Sequence, residues 1–358
     1  MSEISPPDPQ KGSSPQTQSS SGTSASSTGT SSGRVVSRLG ESAKITAILA
    51  IMFFAIWFVK NKLQAQDVTL DKLKLAISNI PWYHFAIALV LTILNYLVLT
   101  GYDWIAVRHL KKKLPMSKIM AGAVVGYACG NVFGWLLGGN AVRYRLYSSW
   151  GFTLLEIIAF VSILSITFWL GLFLLAGIAF VILPIRLPEK TLEMLQLSPN
   201  TWGYIFLSCV AGYLLSCLVV RKPIRFRDFE VALPPFKLSL MQLCVSAGDF
   251  FLASTVLYSL MPPHIIGPGP EQINFSTVLI AYITAQIGAV ISHVPGGYGI
   301  LEGVLLGFLP HAVGAEVFAA VILFRIVYYF LPVIVAGLIF LYNEHRIGRR
   351  PPEMLHGR

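Results

Sequence analysis

The sequence predicts an all-α polytopic membrane protein with about seven transmembrane helices and two re-entrant or broken helical segments. Hydrophobic residues make up 54% of the 358 residues and charged residues only 12%. A soluble protein of this length could not keep so much apolar surface out of water, so lipid must be its solvent. The net charge of +10 does not indicate nucleic acid, because Lys and Arg gather in short clusters between apolar runs, which is typical of membrane topology.

The chain divides into three parts by composition. Residues 1–36 are rich in Ser, Thr, Gly and Pro and cannot bury enough apolar surface to offset their ordering entropy, so a disordered tail is predicted there. Residues 37–346 contain the apolar runs and form one transmembrane domain. Residues 347–358 form a short basic tail.

Seven segments are predicted to span the membrane. A span needs about 20 apolar residues to cross roughly 30 Å of hydrocarbon, because every backbone polar group must be satisfied within the helix. The first, Ile45–Val59, is short, but the flanking Lys44 and Lys60 can extend to the interfaces. The last, Val317–Tyr342, is interrupted by Arg325. The other five are Phe85–Tyr102, Ile157–Leu183, Thr201–Val220, Leu238–Leu260 and Gln272–Ser292.

The basic clusters predict that both termini are cytoplasmic. Lys and Arg collect before the first span, after the second, after Val220 and after the last span, and such clusters stay on the inner side. The members are Arg34, Arg38 and Lys44; Arg108, Lys111, Lys112, Lys113 and Lys118; Arg221, Lys222, Arg225 and Arg227; and Arg346, Arg349 and Arg350.

The segment Met116–Leu137 has the composition of a span but conflicts with this orientation. Lys118 near its start and Arg143 and Arg145 after its end all favour the cytoplasm. A re-entrant hairpin resolves the conflict, and the glycines in the segment permit close backbone packing and a tight break. These glycines are Gly122, Gly126, Gly130, Gly134, Gly138 and Gly139.

A second anomaly is Pro295–Pro310, which begins with Pro-Gly-Gly and is too short to span, so it is predicted to be a broken or half-depth helix. Two glycine-interrupted hydrophobic segments, one in each half of a chain, indicate a substrate site in transporters built from repeats. The alternative is that the glycines only allow tight helix packing.

Three ionisable residues fall inside apolar segments, where a charge costs a few kcal/mol or more. Arg325 lies within the last span, Asp249 near the middle of Leu238–Leu260, and Glu302 in the broken segment. Either carboxylate could neutralise Arg325. One interpretation is a buried salt bridge that joins three helices; the other is a guanidinium in a wet groove that binds phosphate with two hydrogen bonds.

The run from Gly138 to Tyr147 places two arginines and two tyrosines directly after a glycine break. Arg143 and Arg145 could bind a lipid phosphate at the cytoplasmic face, with Tyr144 at the level of the headgroups. An ordinary basic loop is the alternative. The nearby Asn131 and Asn140, which a simple basic loop does not need, favour a binding function.

Two stretches, Gly126–Asn131 through Gly139–Tyr147 and His293–Glu302, resemble the membrane region of lysylphosphatidylglycerol synthases. This region is the MprF-type flippase domain, which also occurs alone in proteins of the YbhN group. The resemblance covers roughly Ser37–Arg346, and the paired RYRLY and PGGxGxxE patterns carry it.

The resemblance implies a bacterial inner-membrane protein that moves an aminoacylated phospholipid to the outer leaflet, an activity linked to antimicrobial peptide resistance. In two-part members a separate cytosolic domain makes that lipid. This chain ends at Arg358, sixteen residues after Tyr342, so we expect no synthase domain and no enzymatic activity. The identity of the lipid does not follow from the resemblance.

The sequence thus predicts a phospholipid flippase or lipid transporter without catalytic residues, metal or cofactor. A scaffold or regulatory subunit for a separate synthase remains open, as does a homo-oligomer. Headgroup contacts are predicted at Arg143, Tyr144, Arg145, Asn131, Asn140, Arg325, Asp249, Glu302, Gly296 and Gly297.

Overall fold

The computed structural model describes residues 70–182, 197–219, 224–226, 229–231, 233–267, 269, 272–292, 294–308 and 314–348. The predicted first span Ile45–Val59, the tail 1–36 and nearly all of the tail 347–358 lie outside the described residues, so their predictions stay untested.

The described chain is almost entirely helical, with one short antiparallel hairpin of two strands in the basic loop after the sixth helix. In chain order the helices are α1 (Leu70–Ser78), α2 (Trp82–His109), α3 (Met116–Phe133), α4 (Asn140–Ser149), α5 (Leu154–Ile182), α6 (Pro199–Val219), α7 (Phe236–Ser259), α8 (Phe275–Ser292), α9 (Ile300–Phe308), α10 (Gly314–Phe324) and α11 (Leu331–Gly348). The strands are β1 (Ile224–Phe226) and β2 (Phe229–Val231).

Six helical segments are long and apolar enough to cross a membrane: α2, α5, α6, α7, α8 and the continuous run Gly314–Asn343. They coincide with the six predicted spans that fall within the described residues, which confirms the helical membrane class. The run Gly314–Asn343 contains a π-helical turn, Arg325–Phe330. Pro332 follows this turn and has no N–H to give to the carbonyl of Tyr328, a known cause of such widening; that carbonyl accepts the Tyr96 hydroxyl at 3.4 Å.

A helical hairpin forms at the predicted place, but its return arm is α4, which lies beyond the Leu137 limit of the predicted segment. α3 ends at Phe133, Gly134 takes φ +87°, and a π-helical turn, Trp135–Gly139, leads into α4, which returns along α3. The glycines allow this contact: a Cβ added at Gly139 would lie 3.0 Å from the carbonyl oxygen of Gly126. Met116 and Ser149, the outer ends of the two arms, therefore lie at the same end of the hairpin, and its re-entry into the membrane stays a prediction.

The predicted break in the second half is also present. Pro295–Gly297 forms a single 3-10 turn in which Gly296 and Gly297 have φ of +63° and +58°. α9 then doubles back along α8, since a Cβ on Gly288 would lie 3.0 Å from Ile300. With nine residues, α9 is about 14 Å long, roughly half of a hydrocarbon core.

The two breaks touch each other. A Cβ on Gly296 would lie 2.8 Å from the carbonyl oxygen of Asn131 near the end of α3. The apolar core is arranged around this meeting point in two main clusters, one formed chiefly by α7 to α10 and the other by α2 to α5. The fold therefore brings two segments separated by about half the chain to one place.

Candidate functional site

A cavity of about 540 Å³ lies where the two glycine breaks meet. The tip of the first hairpin contributes Gly130, Asn131 and Gly134, and the second break contributes Gly296 and Gly297. Aromatic rings supply much of the remaining wall. They are Tyr102, Tyr127, Phe133, Trp135, Phe168, Trp169, Phe250, Tyr282, Tyr328 and Tyr329.

Asp249 on α7 is the one Asp, Glu, Lys, Arg or His side chain among the described residues that line this cavity. It is 8% exposed. Its Oδ2 accepts a hydrogen bond from the Tyr102 hydroxyl at 2.9 Å, and its Oδ1 accepts one from the Asn95 amide at 3.1 Å. Asn95 is itself fixed, because its amide also donates to the Asp249 carbonyl and its Oδ1 accepts from Tyr328, both at 2.8 Å. The carboxylate is thus held by neutral donors.

Arg325 and Glu302 form a closed ion pair beside the cavity. The Arg325 Nε lies 2.7 Å from Glu302 Oε1 and its Nη2 lies 3.0 Å from Oε2. The same guanidinium donates to the carbonyls of Gly296 at 3.1 Å and Gly297 at 3.3 Å, and it lies 4.2 Å from the centre of the Tyr298 ring.

These contacts favour the interpretation of Arg325 as part of a buried salt bridge over its interpretation as a phosphate-binding group. Glu302 is its partner, and the expectation that Asp249 could neutralise it is wrong, because Asp249 is bound by Tyr102 and Asn95 instead. The Nε–Nη2 edge, through which the guanidinium would bind a phosphate with two hydrogen bonds, is occupied by Glu302. Arg325 acts on the cavity indirectly, by holding the carbonyls of the Pro-Gly-Gly turn.

Arg143 does not lie at the surface, and the prediction that it faces the cytoplasm is wrong in this respect. Its side chain is fully buried, with Nη2 3.3 Å from Asp103 Oδ1. The guanidinium lies 4.2 Å from the centre of the Tyr127 ring, a cation–π contact. Tyr147 donates to the other Asp103 oxygen at 2.6 Å. The cause is the close hairpin: Gly126 has no side chain, so Arg143 can turn inward.

The remaining predicted site residues differ in whether they line the cavity. Tyr144 (49% exposed) and Arg145 lie on the outer face of α4, away from the cavity. Asn140 is half-buried and its Oδ1 has no hydrogen-bond partner among the described residues. Of the ten predicted residues, the cavity lining includes Asn131, Asp249, Gly296 and Gly297.

Several lining residues were not predicted from the sequence. Tyr102 and Tyr282 lie within spans and Gln286 lies one turn after Tyr282. The signal was available, because a hydroxyl or amide in a span needs a partner. Asp103 also lies within a span, and it pairs with Arg143, 40 residues away.

No family model matches the chain. The uncharacterised protein slr0712 of Synechocystis is 36% identical over 268 residues, which cover 74% of this chain and 81% of that protein. The inner membrane protein YbhN of Escherichia coli is 27% identical over 300 residues, covering 83% of this chain and 92% of YbhN. The phosphatidylglycerol lysyltransferase of Staphylococcus aureus is 25% identical over 249 residues, covering 68% of this chain but only 27% of the enzyme. The chain therefore belongs to the YbhN-like family of stand-alone membrane proteins related to part of the lysylphosphatidylglycerol synthases.

Proposed function

We propose that this protein is a phospholipid transporter of the bacterial inner membrane, with both termini in the cytoplasm, and that the headgroup passes through the cavity between the two breaks. The observation that carries the proposal is the meeting of two glycine breaks at a cavity bordered by apolar spans. Irregular backbone at membrane depth is tolerated where it is buried in protein or lines a cavity, and broken helices commonly surround a transporter's substrate.

The size and lining of the cavity support this function. Its volume of about 540 Å³ falls within the range of about 300–1,000 Å³ that holds small-molecule ligands. The walls are largely apolar and rich in aromatic rings, with polar groups from residues such as Asn131, Gln286 and Asp249. Such walls suit a headgroup that must leave water, while the acyl chains stay against the apolar outer faces of the spans.

For the headgroup we propose an amine-bearing phospholipid, of which an aminoacyl-phosphatidylglycerol is the example that the lysyltransferase's name suggests. Asp249 has no cationic partner among the described residues, so an ammonium group would supply the positive charge that the carboxylate lacks. Aromatic rings such as Tyr102, Tyr127 and Tyr282 also attract ammonium groups by cation–π contact. We propose no aminoacyl transfer for this chain, since the match leaves most of the enzyme uncovered.

The test is reconstitution of the full chain into liposomes with fluorescent phospholipids resolved by leaflet. Ala289→Trp fills the cavity, which Ala289 lines, and we expect it to abolish protein-dependent movement. Gly212→Trp is the matched control, because nothing lies within 4 Å of a Cβ added there, and its rate should equal that of the wild type.

Equal rates for the two variants would overturn the cavity as the route. Absence of movement with every phospholipid tested, together with co-purification of a synthase, would support the scaffold function instead.

A further inference from the structure

We propose that Asp249 binds a coupling proton, which it exchanges for the ammonium group of the lipid headgroup. This inference rests on the proposed function and adds the residue through which a proton gradient drives transport. In the empty cavity the carboxyl group holds the proton. When the headgroup enters, the proton passes to cavity water and the ammonium group takes its place, so the negative charge of the carboxylate is neutralised in both states.

The first argument is a balance of buried charges. Among the described residues the buried ionisable acids and bases are three carboxylates and two arginines. Arg143 pairs with Asp103, and Arg325 pairs with Glu302. Asp249 is left without a cation, and an isolated buried carboxylate is strongly unfavourable in its charged form.

The second argument is the set of groups that face Asp249. The hydroxyls of four tyrosines on four elements lie within electrostatic reach of it: Tyr102 of α2, Tyr127 of α3, Tyr282 of α8 and Tyr328 of the π-helical turn. Tyr96 of α2 is a fifth.

The other described elements that pack on α7 add no cation near this carboxylate. The titratable group that α6 directs at α7 is Tyr213, which donates to Gln242. The carboxylate of α5 is Glu156 in its first turn, paired with Lys112, and that of α10 is Glu316 in its first turn. A cation for Asp249 must therefore come from the cavity.

The third argument is access. Asp249 lines the cavity while both arginine pairs lie behind its wall. Each Asp249 oxygen accepts one hydrogen bond from the protein and keeps a further lone pair. A proton or an ammonium group can use that lone pair, but both cannot be held at once without leaving a buried positive charge.

One-for-one exchange has a measurable consequence. At equilibrium, with the membrane voltage held at zero, the ratio of lipid between the leaflets follows the ratio of protons, about tenfold for each unit of pH difference. The experiment uses the full chain in liposomes, fluorescent phosphatidylethanolamine as the amine-bearing probe, and an imposed pH gradient. In wild type we expect lipid to accumulate on the acidic side, together with proton flux that depends on lipid.

Asp249→Asn should abolish the response to the gradient, and Asp249→Glu should restore it. Should the Asn variant fail to fold, the wild type alone gives a second measurement. Titrating phosphatidylethanolamine into the purified chain in weakly buffered detergent should release one proton per lipid bound.

The possible results are distinguishable. Lipid movement with an unchanged leaflet ratio under the gradient, and no proton release, would overturn the proton site while the transporter function stands. No movement of any phospholipid would overturn both.

Discussion

Glu302 receives two hydrogen bonds from Arg325, at 2.7 and 3.0 Å, and also accepts the backbone N–H of Gly299 at 2.9 Å. The pair joins α9 to the π-helical turn between α10 and α11. Because the same guanidinium holds the carbonyls of Gly296 and Gly297, the ion pair determines the shape of the cavity wall. The PGGxGxxE pattern thus contains both the turn and the glutamate that neutralises Arg325, the residue that holds the turn.

Glu302→Gln should destabilise the protein by about 3–5 kcal/mol, because it leaves a buried guanidinium without a counterion. Unfolding of the purified protein in detergent would measure this loss. Glu316→Gln serves as a control, since Glu316 lies half-buried in the first turn of α10, and it should change stability little. The double variant Glu302→Gln with Arg325→Met should recover part of the loss; a double variant no better than the single one would contradict the ion-pair explanation.

Two neighbouring tyrosines should respond oppositely to loss of their hydroxyls. The Tyr102 hydroxyl donates to Asp249 at 2.9 Å, and a hydrogen bond to the neutral carboxyl group of the empty cavity is worth about 0.5–1.5 kcal/mol, so Tyr102→Phe should lower stability by that order. The buried Tyr127 hydroxyl has no hydrogen-bond partner among the described residues. Tyr127→Phe keeps the ring under Arg143 and should leave stability equal or higher. Equal losses in the two variants, measured by thermal unfolding, would contradict this assignment.

Gly126→Ala should disrupt the hairpin. The added Cβ would lie 2.5 Å from the Arg143 Cζ, and overpacking of this kind costs about 1–3 kcal/mol. Gly337→Ala is the matched control in another helix, because nothing lies within 4 Å of a Cβ there, and removing an unneeded helical glycine should stabilise by roughly 0.5–1 kcal/mol. The unfolding midpoints of the two variants should shift in opposite directions. A Gly126→Ala variant with an unchanged midpoint would argue against the inward position of Arg143.

Single cysteines should report the re-entrant topology. In a chain whose native cysteines are replaced, Ser117→Cys and Ser148→Cys lie at the two open ends of the hairpin and are exposed. Both should react with a membrane-impermeant maleimide from the cytoplasmic side of sealed vesicles. Ser198→Cys, just before α6, should react from the opposite side. Labelling of 117 and 148 from different sides would mean that α3 and α4 cross the membrane.

The sequence was sufficient for the elements whose signal is local. Apolar length identified the spans, and the conflict between Lys118 and Arg145 around a glycine-rich segment identified the hairpin. Partners far apart in the chain could not be assigned in this way, because Asp103, Asp249 and Glu302 all lie in apolar surroundings and composition does not say which of them pairs with an arginine. The pairing of carboxylates with arginines depends on where helices cross. In this fold the pairing with Asp103 places Arg143 inside the protein.

The half length of α9 has an electrical consequence. With α9 at the predicted half depth, its nine residues leave an insulating layer between the cavity and one side of the membrane that is about 15 Å thinner than the roughly 30 Å of surrounding hydrocarbon. A membrane voltage falls across the insulating part of the path, so the field at this point is steeper than elsewhere in the bilayer. A charge that leaves the cavity past the turn at Gly296 therefore crosses much of the potential in one short step.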